Sequence, residues 1–114
     1  MPDAGFPVAI VTGVPVVTTC EEIDITNAAR LRAVLLEAAA DSRGTLVVDM
    51  SQTEFCDTSG IHALVNAHKR AQAGRGQVLL VINTATVRRI FALTGLDQVI
   101  PHLQSLEDAL EAAR

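Results

Sequence analysis

Short apolar runs alternate with amphipathic segments along most of this chain, and this alternation constrains the fold more than any other feature. The runs at residues 45–49 and 77–82 are rich in Val, Leu and Ile, which predicts strands buried in a sheet. Each is followed by a segment whose apolar residues recur at steps of three and four, which predicts a helix. Strands joined by helical crossovers pair in parallel. The chain is therefore predicted to adopt an α/β fold with a mostly parallel sheet.

Two β-branched runs at the start of the chain, residues 7–12 and 14–19, are separated by Gly13 and predict a hairpin. This hairpin adds an antiparallel pair, so the predicted sheet is mixed. Pro15 has no amide hydrogen to donate to a neighbouring strand, which favours an edge position for its strand. About four helices are expected: from a cap at Thr26 or Asn27 to about Ala40, over residues 59–73, from Thr84 to Gly95, and from Ser105 onward.

Length and charge narrow the function classes. The chain has 114 residues, which predicts a single domain over residues 1–114, with the first five residues and the last few free to fray. A net charge of −4 and the lack of a basic stripe argue against nucleic-acid binding. No apolar run approaches the roughly 18 residues of a membrane span, and no secretory signal is visible. We therefore expect a cytoplasmic protein without membrane contact.

Cys20 and Cys56 are the two cysteines, and their spacing fits no metal site. In a reducing compartment, we expect both to be small buried apolar residues. A redox disulfide between them is the disfavoured alternative, since sequence spacing does not define the Cβ geometry that a disulfide needs. No metal site is predicted.

A hydroxyl-rich segment, Asp57-Thr58-Ser59, lies where the helix over residues 59–73 begins. All three residue types cap helices by accepting a hydrogen bond from the first-turn amides, so any of them can be the cap. These amides and the helix dipole also favour negative charge, so the fold would tolerate a phosphate on Ser59. A phosphoserine adds about −1.5 to −2 charge at neutral pH, which disrupts a docked interface. Ser59 is therefore a candidate switch, the alternative being a simple N-cap.

Three blocks of sequence together resemble the STAS domain of the anti-sigma factor antagonist type, from residue 20 onward. They are residues 22–24 followed by a helix, residues 47–60, and residues 87–97. In that family, a partner kinase phosphorylates the serine before the glycine of the second block. This position is Ser59 here. The chain departs from the pattern at Glu21, where a glycine is usual, and at the residue before Ser59, which is Thr rather than a second serine.

The resemblance implies a non-catalytic protein that regulates sigma-factor-dependent transcription, for example of the genes of a stress response. The unphosphorylated protein would bind an anti-sigma factor that is also an ATP-dependent serine kinase, and so release the sigma factor. Phosphorylation of Ser59 would break the complex, and a serine phosphatase acting on phospho-Ser59 would restore it. The kinase supplies the nucleotide site and magnesium, so this chain needs no cofactor.

The resemblance and the position of two side chains on the helix define a predicted partner-binding surface. The family's counterparts of Asp24 and Asp57 lie near the phosphorylation site, and His62 and Asn66 lie one and two turns beyond Ser59, off the apolar stripe. The full set is Asp24, Asp57, Thr58, Ser59, Gly60, His62 and Asn66. Asp24 follows a predicted strand and Asp49 ends one, so we expect both at the edge of the sheet that carries the Ser59 loop.

Two alternatives use the same residues differently. As a hydrolase, the chain would use Ser59 as nucleophile, His62 as base and Asp57 as the third group, but it lacks the glycines that form a nucleophile elbow. A catalytic role is therefore not predicted. As a STAS scaffold or ligand-sensing subunit, the domain would join a stress-signalling assembly or bind a nucleotide or other small molecule without phosphorylation of Ser59.

Overall fold

A computed structural model describes residues 6–41 and 44–114. The strands are β1 (Val8–Val11), β2 (Val14–Thr18), β3 (Glu22–Ile23), β4 (Thr45–Asp49), β5 (Phe55–Cys56), β6 (Gln77–Val81) and β7 (His102–Leu103). The helices are α1 (Ala28–Asp41), α2 (Thr58–Ala73), α3 (Ala85–Thr94) and α4 (Leu106–Ala112). A short 3₁₀ turn at Leu96–Gln98 follows α3. The expected fraying of residues 1–5 falls outside the described residues.

Five strands form one mixed sheet in the order β1-β2-β4-β6-β7. The first pair is antiparallel and the other three pairs are parallel, which confirms the predicted hairpin and the predicted mixed α/β sheet. Strands β3 and β5 form a separate parallel pair that the sequence did not predict. Since helical crossovers connect the parallel strands, their carboxyl ends lie at one edge of the sheet.

The predicted edge position of Pro15 is wrong, because β1 is the edge strand and β2 lies between β1 and β4. Pro15 is nevertheless accommodated. The ladder between β2 and β4 begins at Val16, one residue later, so no bond from the missing amide is needed there. The hairpin turn itself has positive φ angles at Thr12 (50°) and Gly13 (84°), as two-residue hairpin turns of the I′ class require.

The sheet separates two apolar cores. The larger lies beneath α1, α2 and α3, with Leu31, Leu64 and Phe91 fully buried. The smaller lies beneath α4 and contains Val47 and Ala109. Neighbouring residues of β4 alternate between the two, because successive side chains of a strand point to opposite faces. This packing fixes α2 against the sheet, and with it the position of Ser59.

Candidate functional site

The short pair β3–β5 brings two distant loops together. Ile23 lies opposite Cys56 in the parallel register, and the amide of Asp57 donates to the carbonyl of Ile23 at 3.0 Å. Asp24 and Asp57 are the next residues after the two strands. The loop that leads into α1 therefore adjoins the start of α2, where Ser59 lies.

Asp57 is the N-cap of α2, so neither Thr58 nor Ser59 has this role. Its Oδ1 accepts hydrogen bonds from the backbone amides of Ser59 (2.9 Å) and Gly60 (3.2 Å), and from the Ser59 hydroxyl (2.5 Å). Ser59 is the second helical residue and is half-buried. A single carboxylate oxygen of Asp57 thus caps the N-terminus of α2 and orients the Ser59 side chain.

These hydrogen bonds hold the pKa of Asp57 below its ordinary value of 3.8. The bond from the Ser59 hydroxyl is the largest cause, burial acts in the opposite direction, and the two backbone amides lower the pKa further. Asp57 is therefore a carboxylate at neutral pH, in direct contact with the Ser59 oxygen.

Gly60 is buried, and a side chain at this position has no room. A Cβ atom there would lie 2.6 Å from the sulfur of Cys56 and 2.6 Å from Cγ2 of Ile23. The glycine thus lets α2 approach the β3–β5 pair closely. The structure gives Gly60 this packing role, and its participation in partner binding stays a prediction.

Asp24 organises the loop before α1. Its Oδ1 accepts from the amide and the hydroxyl of Thr26, and its own amide donates to the side chain of Asn27 at 3.0 Å. The Asn27 side chain also donates to the carbonyl of Glu22 at 2.8 Å. The backbone carbonyl of Asn27 accepts from the amide of Leu31, the first hydrogen bond of α1. Its side chain bonds to the backbone of Asp24 and Glu22, and thus ties the loop to β3 instead of capping the helix amides.

The remaining predicted partner-binding residues lie along α2. Thr58 and His62 are exposed, and Asn66 is half-buried. The described hydrogen bonds do not join His62 to Ser59, so the alternative catalytic triad is not assembled in this part of the chain. Asp49 turns the chain after β4 by accepting from the Ser51 amide at 3.0 Å, and its own carbonyl accepts from the amide of Thr19.

A buried threonine network beneath the site was missed by the sequence analysis. The hydroxyl of Thr53 donates to the carbonyl of Cys20 at 2.6 Å and contacts the hydroxyl of Thr19 at 2.5 Å. Thr84, just before α3, donates to the carbonyl of Thr53 at 2.9 Å. The network joins the end of β2, the loop before β5 and the start of α3. Single threonines in loops carry no periodic signal, so only the fold reveals them.

Two exposed apolar side chains next to the site were also missed. Ile25 follows Asp24 and is 79% exposed, and Phe55 precedes Cys56 and is 44% exposed. Ile25 lies in the loop after β3, and Phe55 is the first residue of β5. Exposed apolar groups at a polar site are typical of surfaces that bind other proteins.

The two cysteines are free thiols. Cys56 is buried, and burial, with a smaller effect of the Asp57 charge, raises the pKa of its thiol to about 12. The expected burial is therefore confirmed for Cys56 and wrong for Cys20, which is half-buried and donates to the carbonyl of Glu22 at 3.1 Å. A thiol with a raised pKa is a poor nucleophile, so Cys56 acts as a small core residue.

Two other kinds of site are absent from the part of the chain that the structure describes. Within residues 6–41 and 44–114, no helix is long and apolar enough to cross a bilayer. Over the same ranges, His, Cys, Asp and Glu side chains do not gather in a group of three or more that could hold a metal ion.

Comparison with known proteins identifies the family. The family model of the STAS domain matches residues 6–109. The chain belongs to the STAS domain family. The anti-sigma-F factor antagonist RsfB of Mycobacterium tuberculosis is 34% identical over 103 residues, covering 90% of this chain and 83% of that protein.

Solved structures show the same fold. An anti-sigma factor antagonist from Mycobacterium paratuberculosis is 34% identical, with a TM-score of 0.88 over 100% of this chain and 97% of that one. A STAS domain protein from Planctomyces limnophilus has a TM-score of 0.88 at 22% identity, over 96% and 98% of the two chains. Anti-sigma factor antagonists are regulatory binding proteins, so the prediction of a non-enzymatic protein is confirmed.

Proposed function

We propose that this protein is an anti-sigma factor antagonist switched by phosphorylation of Ser59. It binds an anti-sigma factor that is also an ATP-dependent serine kinase, in the cytoplasm, and thereby frees a sigma factor for transcription. The observation that carries the proposal is the Ser59 hydroxyl, held by Asp57 at the start of α2 where two loops meet. The similarity to proteins named as antagonists supports it.

Phosphorylation would change this site without requiring a change of fold. Transfer of a phosphoryl group to Ser59 Oγ removes the hydrogen that this oxygen donates to Asp57. A group of about −1.5 to −2 charge then adjoins a carboxylate. Repulsion turns the phosphate outward, while the first-turn amides of α2 favour its charge. The new charge thus appears on the surface around the start of α2, and a serine phosphatase reverses the change.

The kinase-binding surface must include Ser59, since repulsion between exposed charges is largely screened beyond roughly 8 to 10 Å. We place its centre on the exposed part of the α2 start, formed by Thr58 and His62. Asp24 and Asn66 extend it on either side, and Asp57 holds it in shape. The exposed apolar side chains Ile25 and Phe55 supply contact area that loses water on binding.

Replacement of Ser59 tests the switch. Ser59→Ala should bind the kinase constitutively and Ser59→Asp should bind more weakly than wild type, because only the second adds charge at the interface. Binding is measured by calorimetry with the purified kinase, and the site by phosphopeptide mapping. Ser105→Ala is the matched control, because Ser105 is a serine at the start of α4, on the other face of the sheet. A phosphate found on Thr58 or Ser51, with Ser59 unmodified, would contradict the proposal.

Substitutions along α2 test the position of the surface. His62→Glu and Asn66→Glu should each weaken kinase binding, with thermal unfolding little changed for the exposed His62 site. Ala112→Glu is the matched control, since it adds the same charge to the exposed face of α4. If His62→Glu and Asn66→Glu bind the kinase as tightly as Ala112→Glu does, the surface does not lie along α2. If unphosphorylated wild type has no affinity for the kinase, the scaffold or ligand-sensing alternative is favoured.

A further inference from the structure

A polar cavity lies at the other end of α2 from Ser59. Its volume is about 380 Å³, within the range of small-molecule sites. It opens where β4 and β6 begin, beside the last turns of α2, and His68 is nine residues beyond Ser59, or about 14 Å along the helix. Its polar lining includes Thr45, His68, Gln72, Arg75 and Gln77.

His68 presents a buried donor to this cavity. The side chain is 4% exposed, and its Nδ1 accepts from the amide of Val78 at 3.2 Å. Burial lowers the pKa of His68, so the ring is neutral at pH 7 and its proton lies on Nε2. No buried side-chain nitrogen among the described residues lacks a partner, and the described bonds of His68 involve Nδ1 alone. Nε2 therefore reaches the cavity surface as an N–H donor.

Arg75 lines the same cavity in a conformation that arginine rarely adopts. Its φ is 67°, in the left-handed region that favours glycine or asparagine. The turn is held by three hydrogen bonds, from the amides of residues 74–76 to the carbonyls of Ala71 and Gln72. Gly76 also packs so closely on Gly44 that a Cβ would overlap the Gly44 carbonyl oxygen. A charged side chain kept on a strained, rigid turn is characteristic of functional sites.

The other lining groups complete a donor-rich site. Gln72 and Gln77 provide amides and Thr45 a hydroxyl, and no Asp or Glu is among the lining residues that the structure describes. Two carbonyls of the last α2 turn, which would repel an anion, already accept hydrogen bonds: those of Ala71 and Gln72 accept from the amides of residues 74–76. We propose that this cavity binds a small anionic metabolite through a carboxylate or phosphate group. The site is independent of the proposed switch at Ser59.

An NMR titration tests the proposal. Inorganic phosphate and succinate are added separately to the ¹⁵N-labelled protein, with sodium chloride of equal ionic strength as the reference. At least one anion should cause saturable shifts at the His68 ring and at the amides of Thr45, Gln72 and Gln77. Shifts equal to those in chloride for both anions, or saturable shifts confined to the Ser59 loop, would overturn the proposal.

The Arg75→Asn variant tests whether Arg75 supplies the positive charge that binds the anion. Asparagine tolerates positive φ, so the unfolding temperature of Arg75→Asn should equal or exceed that of wild type. Affinity for the anion should fall about tenfold or more, as expected for loss of a charge-assisted hydrogen bond. Arg70→Gln is the control, because it removes the same charge from α2 outside this cavity. Equal affinity of Arg75→Asn and wild type would overturn the site, and kinase binding should be unchanged in both variants.

Discussion

Two residues of opposite character shape the start of α2. Asp57 contributes a carboxylate that accepts from two amides and from the Ser59 hydroxyl. Gly60 has no side chain, which lets the helix approach Ile23 and Cys56 closely. The sequence shows three candidate caps in a row, and only the backbone path decides among them. Asp57 has the extended conformation of an N-cap, with φ −88° and ψ −174°.

Gly60→Ala should destabilise the domain by about 1 to 3 kcal/mol, as overpacking of a filled core does. The added methyl group would overlap Cys56 and Ile23, which belong to the β3–β5 pair. Urea unfolding measures the loss. Gly74→Ala is the matched control, because its Cβ would lie 3.7 Å from the nearest carbonyl oxygen, an ordinary contact. Equal stability of the two variants would show that the close approach at Gly60 is not limiting.

The elements differ in how well the sequence predicts them. Strands β4 and β6 were predicted because each contains an unbroken run of three or four apolar residues, long enough to show its burial. Strands β3 and β5 have two residues each, too few for any periodicity, and only their pairing reveals them. The nearness of Asp24 to the Ser59 loop was expected from the position of sheet ends and from the family resemblance. Its physical cause is this short pair.

The threonine network provides a test of how the elements below the site are held. Thr53→Val keeps the side-chain shape but leaves the Cys20 carbonyl and the Thr19 hydroxyl without this partner. A buried polar group without a partner costs about 1 to 3 kcal/mol, so urea unfolding should show a loss of that size. Thr86→Val, at an exposed position of α3, should change stability by less than about 0.5 kcal/mol.

A double-mutant cycle separates the network from simple burial. Since Thr19 and Thr53 share one contact, the loss in Thr19→Val combined with Thr53→Val should be smaller than the sum of the single losses. Strict additivity would contradict a cooperative network between the two hydroxyls.

Across the whole molecule, α2 links two sites of different character. Its first turn carries the proposed switch on a carboxylate cap, and its last turns line the polar cavity beside His68. Both ends hold a group whose pKa lies below its ordinary value. The stability of the protein should therefore depend on pH in two separate ranges, one for each end of α2.

Stability should fall in two ranges on acidification. The folded protein keeps His68 neutral at pH values just below 6.5, because burial lowers the pKa of this side chain. In the unfolded chain His68 binds a proton at these pH values, so the free energy of unfolding should decline as pH falls below about 6.5. Asp57, with a folded pKa below 3.8, stabilises the fold above that value, and its contribution is lost as pH falls further. Urea unfolding at a series of pH values measures both slopes. His68→Gln should flatten only the first, and Asp57→Asn, which keeps a capping side chain, only the second. If both slopes persist in these variants, other groups govern the acid response and the two ends of α2 are not its cause.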